Sequence, residues 1–205
     1  MTPQYWIQAT EELSKNDPIL KRLIECFVEE KLVSGACAFT TLARSIVGQQ
    51  ISVKAADSVW QRIINSTPKF TPSFILQSSN DLLRSCGLSR QKVVYLKDLA
   101  QYFSQTLKPE QSWNQLSDQE LISELTKIKG IGRWTAEMFL IFHMQRPDIF
   151  PLDDIGLQRA ISRFYNNNQP VDKKMMNAIA LPWKPWRTVA TWYLWRALDP
   201  LPVEY

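Results

Sequence analysis

Histidine is nearly absent from this chain of 205 residues, and the scarcity removes several kinds of chemistry at once. His143, the single copy, follows Ala136 and Leu140 and reads as a packed core position rather than a ligand or base. No three-histidine metal site can be assembled, and no serine or cysteine triad is supplied with its base. Cysteine is scarce too. Cys26, Cys37 and Cys86 are odd in number and far apart, with no paired spacing for a metal or iron–sulfur cluster, so they read as buried thiols of a reducing compartment. Long apolar runs are missing: nothing approaches the roughly 20 residues of a membrane span, and the N-terminus lacks a basic start followed by an apolar run. The expectation is a soluble, intracellular protein with no membrane partner, cytoplasmic or nuclear according to its source. Strand-type alternation is also lacking, so Gly130-Ile131-Gly132 has no strand before it, and a Rossmann or Walker nucleotide loop fails on context.

What is present suits a helical protein of ordinary composition. A hydrophobic content of 45% is enough for a real core, as one domain or as two small lobes. Lysine and arginine exceed aspartate and glutamate by 24 to 20, a net charge of +4, with a pI near 9.0. That excess permits nucleic-acid binding without proving it. The spacing predicts a first helix over Pro3 to Leu13 and a second from Asn16-Asp17-Pro18, with Asp17 as cap and Leu20, Leu23, Ile24 and Phe27 as its apolar stripe. Residues 37–65 hold two helices with a break at Gly48-Gln49-Gln50, Ser52 capping the second over Val53 to Ile64. A proline-containing loop spans Thr67 to Ser73. Short helices follow at Phe74 to Leu76 and Asn80 to Cys86, then a longer one over Gln91 to Leu107, with Val93, Leu96, Ala100 and Phe103 on one stripe. Ser117 and Glu120 form a capping box, and the last helices cover Lys173 to Ile179 and Trp186 to Leu198. The fold class is all-α.

The stretch from Leu121 to Phe164 organises the chain. Its centre, Leu125-Thr126-Lys127-Ile128-Lys129-Gly130-Ile131-Gly132-Arg133-Trp134-Thr135-Ala136, reads as two helices joined by a tight glycine hairpin. Gly130 sits where the first helix stops and can accept the positive φ that closes it. Gly132 opens the next helix, whose first N–H groups point toward whatever anion lies in front. Lys127, Lys129 and Arg133 surround that opening, so phosphate is the natural ligand.

Two further features could carry chemistry. Asp153 and Asp154 follow Pro151-Leu152 just before the stripe Leu157, Ile161 and Phe164. An aspartate here can simply be an N-cap; with two, one can cap while the other projects, and a carboxylate at a helix N-terminus stays anionic, suited to offsetting a developing cation and orienting water. Eight tryptophans are the other feature, crowded at Trp183, Trp186, Trp192 and Trp195, with Trp134 in the hairpin. Most aromatics in a helical protein are core. On the last helix, however, Val189, Ala190, Tyr193, Leu194 and Ala197 already form one stripe, which leaves Trp192 and Trp195 needing a second surface or a pocket. Gln49-Gln50 either faces water at its break or inserts into a stacked duplex.

These motifs, with Asp154 followed by Arg159, Trp183-Lys184-Pro185-Trp186-Arg187, Ser45 to Ser52 and Gly87-Leu88-Ser89-Arg90-Gln91-Lys92, together resemble the helix-hairpin-helix DNA glycosylases, specifically the 3-methyladenine DNA glycosylase II branch. The resemblance covers most of the chain after about Phe39; the first 35 residues do not resemble the β-rich N-terminal domain of longer members, so it is to the short form. It implies a two-lobed helical fold with lobes near 36–120 and 1–35 plus 121–205, a hairpin at 121–145 and the active site in the cleft between lobes. Asp154 matches the catalytic aspartate. Trp134 and Trp195 fall on base-pocket positions, Gln50 falls where a side chain wedges into the gap left by an extruded nucleotide, and Gln49 beside it is a DNA-binding position. Lys129, Gly130, Gly132, Arg133 and Thr135 fall on DNA-binding positions. Backbone carbonyls of Thr126, Ile128 and Ile131 would hold a structural Na+ or K+; no other cofactor is implied. Strand-cutting members carry a lysine where this chain has Trp134, so a Schiff base cannot form at this site and the enzyme should stop at the abasic site. The implied partner is double-stranded DNA containing alkylated bases, met by a monomer. A glycosylase for another damaged base such as hypoxanthine, and a non-catalytic DNA-binding hairpin module, stay open as alternatives.

Overall fold

Apolar residues at three- and four-residue spacing, with polar side chains closing many of the helix starts, make the chain helical from end to end of what is described. The computed structural model describes residues 2–35, 37–105 and 112–198, and among them there is no strand. The helices are α1 (Trp6–Asn16), α2 (Pro18–Cys26), α3 (Ala38–Gly48), α4 (Val53–Asn65), α5 (Pro72–Gln77), α6 (Asn80–Ser85) and α7 (Arg90–Gln105). They continue with α8 (Asp118–Leu125), α9 (Arg133–Phe142), α10 (Ile155–Tyr165), α11 (Lys173–Ile179), a 3-10 turn at Leu181–Trp183, and α12 (Arg187–Leu198).

Caps decide the starts. Asp17 accepts from the N–H groups of Ile19 and Leu20, Ser52 from that of Ala55, and Ser117 and Glu120 form the reciprocal box expected of them. Two starts differ from the reading of the sequence by more than one residue. Helix α1 begins at Trp6 rather than Pro3, because residues 3–5 form a turn in which the Trp6 N–H donates to the Pro3 carbonyl at 3.1 Å. Helix α5 begins at Pro72, inside the expected loop, because Thr71 Oγ1 accepts from the Phe74 N–H and proline fits the first turn. The expected end of α7 at Leu107 lies outside the described residues.

The chain divides into two compact units, Met1–Gly35 with Leu140–Glu204, and Ala36–Phe139. The division falls within α9 rather than near residue 120. The hairpin joins the second unit because its backbone is bonded to α7 and to the loop after α3, through Lys129 to Asp98 and Gly130 to Gln49, and because Trp113 meets Phe139 edge to face. In that unit α3 and α7 bury Leu42, Ile46, Leu96 and Leu99. In the first unit α12 is buried nearly all round, from Thr188 through Leu194. The second surface that Trp192 needs is α1, where it packs against the Trp6 ring at 5.3 Å and 87°. Trp6, Trp60, Trp113, Trp183 and Trp192 are all core. The thiol reading holds only for Cys86: Cys26 and Cys37 are exposed, one ending a helix and the other standing just before one, and all three are free.

One buried polar group ties the first unit together. Asp17 Oδ1 caps α2, while its Oδ2 accepts from the Tyr165 hydroxyl at 2.9 Å and the Trp183 indole N–H at 2.8 Å. Burial, with the Asp17 charge added, pushes the Tyr165 phenol far above its ordinary value and keeps it a donor. Asp17→Ala would orphan a buried indole N–H, a half-buried hydroxyl and a helix start. It is expected to lower unfolding free energy by about 3 kcal/mol in urea titrations, with Asp17→Asn losing about half as much because its carbonyl keeps the cap.

Candidate functional site

The hairpin is built as its glycines require. Ile128 and Ile131 are buried and anchor the turn, in which the Ile128 N–H donates to the Leu125 carbonyl and the Ile131 N–H to that of Ile128, each at 3.1 Å. Gly130 has φ +84, and a Cβ there would lie 2.3 Å from the Tyr95 ring on α7. Only glycine fits both the left-handed backbone and that approach. Gly132 is different: it has no positive φ, and a Cβ would meet nothing within 4 Å, so the space in front of the first turn of α9 is open.

A concavity of about 490 Å³ lies over this turn, lined among others by Gln49, Gln50, Lys92, Tyr95, Lys129 and Gly132. Thr126, Ile128 and Ile131, the residues expected to hold a monovalent cation, line it too. The cations around the opening are not bare. Lys127 pairs with Glu124, Lys129 with Asp98 at 3.4 Å, and Arg133 with the buried Glu137 at 2.9 Å. The Lys127 hydrogen bond holds Glu124 below the usual carboxylate range. Pairs this exposed at the lysine end are weak and readily exchanged for a phosphate. Thr135 is buried in α9.

The break after α3 is polar, as its sequence suggests, but its two glutamines part ways. Gln49 turns its amide onto the hairpin, Nε2 donating to the Gly130 carbonyl at 2.8 Å. Gln50 is exposed and sits at φ +59, a conformation few non-glycine residues adopt.

In the other unit, Asp154 is itself the N-cap of α10. Its Oδ1 accepts from the Leu157 N–H at 2.6 Å and from the Trp195 indole N–H at 2.8 Å. The expected division, in which one aspartate caps and its neighbour projects, is met: Asp154 does the capping, while Asp153 is exposed and ion-paired to Lys173, so the capping aspartate is the one that matches the catalytic position. Trp195 stacks on Phe142 with centroids 5.9 Å apart and planes 9° from parallel, which supports the ring in the orientation that aims its N–H at the carboxylate. Gly156 makes room, since a Cβ there would stand 3.1 Å from Asp154 Oδ1 and 3.4 Å from the indole. The Asp-Ile-Gly sequence was the available signal for that glycine. Trp134, second residue of α9, is 39% exposed, unusual for so large a ring. His143 is half-buried.

Residues 43–185 match the family model of the HhH-GPD superfamily base excision DNA repair proteins, and the chain belongs to that superfamily. It is 32% identical over 188 residues to DNA-3-methyladenine glycosylase 1 of Schizosaccharomyces pombe, covering 90% of this chain and 82% of that one. A DNA-3-methyladenine glycosylase of Saccharomyces cerevisiae is 32% identical over 185 residues, 82% of this chain and 62% of the yeast protein. The solved structure of the Schizosaccharomyces pombe 3-methyladenine DNA glycosylase in complex with abasic DNA matches with a TM-score of 0.79 at 31% identity, covering 96% of this chain and 100% of that one. The expected all-α fold and family are thereby established.

The two hairpin glycines should behave oppositely. Gly130→Ala is expected to destabilise the chain by about 2 kcal/mol or more, through backbone strain and the Tyr95 clash. Gly132→Ala should leave unfolding within about 0.5 kcal/mol of wild type yet weaken binding to an abasic-site duplex by about tenfold, because its methyl would crowd a phosphate at the turn. Unchanged affinity in Gly132→Ala would show that no phosphate approaches there.

Proposed function

We propose that this protein is a monofunctional DNA glycosylase that extrudes alkylated purines such as 3-methyladenine and 7-methylguanine from duplex DNA and hydrolyses their N-glycosidic bond. The observation that carries the reading is the Asp154 carboxylate, fixed by two N–H donors at the start of α10 in a chain whose relatives are named for 3-methyladenine excision.

The chemistry follows from what the residues can and cannot do. N3- and N7-alkylated purines are cationic and leave readily, so little acid catalysis is needed. The single histidine of the chain need not supply a proton. As the bond to C1′ lengthens, positive charge develops on the sugar, and a carboxylate held in place stabilises it without having to reorient. The same group orients the attacking water, as in glycoside hydrolysis but with no obligatory acid partner. Trp195 acts on Asp154 through its N–H. Trp134, exposed on α9, offers a ring face to a cationic base. Trp134 stands where strand-cutting members carry a lysine, so no amine is placed to form a Schiff base and the product is an abasic site. The N–H groups at the start of α9 grip a phosphate and set register without reading sequence. Thr126, Ile128 and Ile131 would hold a Na+ or K+ ion there, adding positive charge against that phosphate. The protein acts as a monomer.

Asp154→Asn tests this most directly. Its amide oxygen can still accept from Leu157 and Trp195, so the fold should persist, while release of 3-methyladenine from methylated DNA falls by at least about 100-fold and affinity for an abasic duplex changes by less than about threefold. Full activity in that variant would refute the assignment. Asp153→Asn, which cuts only a surface ion pair, should lose less than about threefold. Borohydride should trap no covalent DNA adduct with the wild-type protein.

A further inference from the structure

Helix α3 ends at Gly48 with carbonyls that have no partner inside the helix. A residue more than forty positions away serves one of them, at Val47, and the carbonyl of the capping Gln49. Lys92, in the first turn of α7, donates from Nζ to the Val47 carbonyl at 2.6 Å and to the Gln49 carbonyl at 2.8 Å. An ammonium at a helix C-terminus is well placed against the dipole, and a lysine desolvated this way has its pKa pulled down by burial. The peptide just before Gln50 is thus held from two directions. Its carbonyl belongs to Lys92, and the Gln49 side chain is bonded to Gly130. Between these anchors Gln50 is kept at φ +59 with its side chain exposed, a strained conformation that persists only where the surroundings over-determine it.

The same helix also holds the hairpin. One turn after Lys92, Tyr95 lies under Gly130. A turn further on, Asp98 accepts from the Lys129 backbone N–H at 2.9 Å and faces its ammonium. Lys92, Tyr95 and Asp98 are spaced by three, so one face of α7 carries the exposed glutamine's loop at one end and the phosphate hairpin at the other.

We infer that Lys92, with Gln49, is a positioning residue for base extrusion: it fixes the Gln50 wedge at a set distance from the phosphate clamp, so that gripping the backbone and filling the vacated gap happen in register. This rests on the reading of Gln50 as a wedge in a glycosylase. A residue that merely capped α3 would support all activity equally. A positioning residue matters most when the target must be pulled from a paired stack and least when pairing is already lost.

The test is single-turnover release of 7-methylguanine from two duplexes, one with the lesion opposite cytosine and one with it opposite an abasic-site analogue. In Lys92→Met the ratio of unpaired to paired rates should rise about tenfold over wild type, Gln50→Ala should raise it similarly, and Lys92→Arg, which can still donate to both carbonyls, should restore most of the paired rate. If Gln50→Ala raises the ratio while Lys92→Met lowers both rates in proportion, or leaves them unchanged, the Lys92 inference is overturned and the wedge reading stands. If Gln50→Ala does not move the ratio, the wedge reading falls and the inference with it. No release from either duplex by wild type overturns the glycosylase reading itself. Should Lys92→Met fail to fold, Gln49→Ala removes the other tether and must raise the ratio as well; a flat ratio there overturns the two-tether arrangement.

Discussion

Each α-helix leaves four N–H groups at its start and four carbonyls at its end without partners inside the helix, and in this chain the way those ends are satisfied decides where the functional groups point. Asp154 closes the start of α10, and closing it fixes the carboxylate. The start of α9 is left open behind Gly132, which makes it available to an anion. The end of α3 is closed by a lysine from another helix, and the residue just beyond it is Gln50. The same requirement that stabilises the helices thus aims the side chains assigned to chemistry, grip and extrusion.

Capping explains why structural and functional accounts of Asp154 do not compete. A cap needs an oxygen held on the helix axis, and a group that offsets a sugar cation must be anionic and held still. Leu157 and Trp195 hold one and the same oxygen still for either role. The adjacent Asp153 has neither partner and is ion-paired at the surface. Trp195, in turn, is stacked on Phe142, so the order of the site extends from the carboxylate to its donor and to the ring behind it.

Electrostatics at the hairpin are quieter than a count of cations suggests. Lys127, Lys129 and Arg133 each face a carboxylate. The proposed grip on a phosphate would therefore begin with oriented backbone N–H groups and be completed when exposed lysines exchange partners, which suits contacts that position DNA without reading it. A net charge of only +4 is consistent with that division.

Helix caps, the break at Gly48-Gln49-Gln50, the positive φ of Gly130 and the bounds of α11 were legible from the residues, because each depends on neighbours within about four positions and on apolar spacing. The resemblance of several motifs in order pointed correctly to the family. What residue spacing could not show were the pairs made at a distance: Trp195 on Asp154, Lys92 on the loop after α3, Asp98 on Lys129, and α1 as the surface that covers Trp192. Nor could it show that two cysteines are exposed or that the hairpin groups with residues 36–120. The sequence alone settled which segments are helical and most of their bounds to within a few residues, since those choices are made by hydrogen bonds between near neighbours. Tertiary structure alone settled which face of each helix meets which partner, since that follows from how side chains of distant segments pack, and no short-range pattern encodes it.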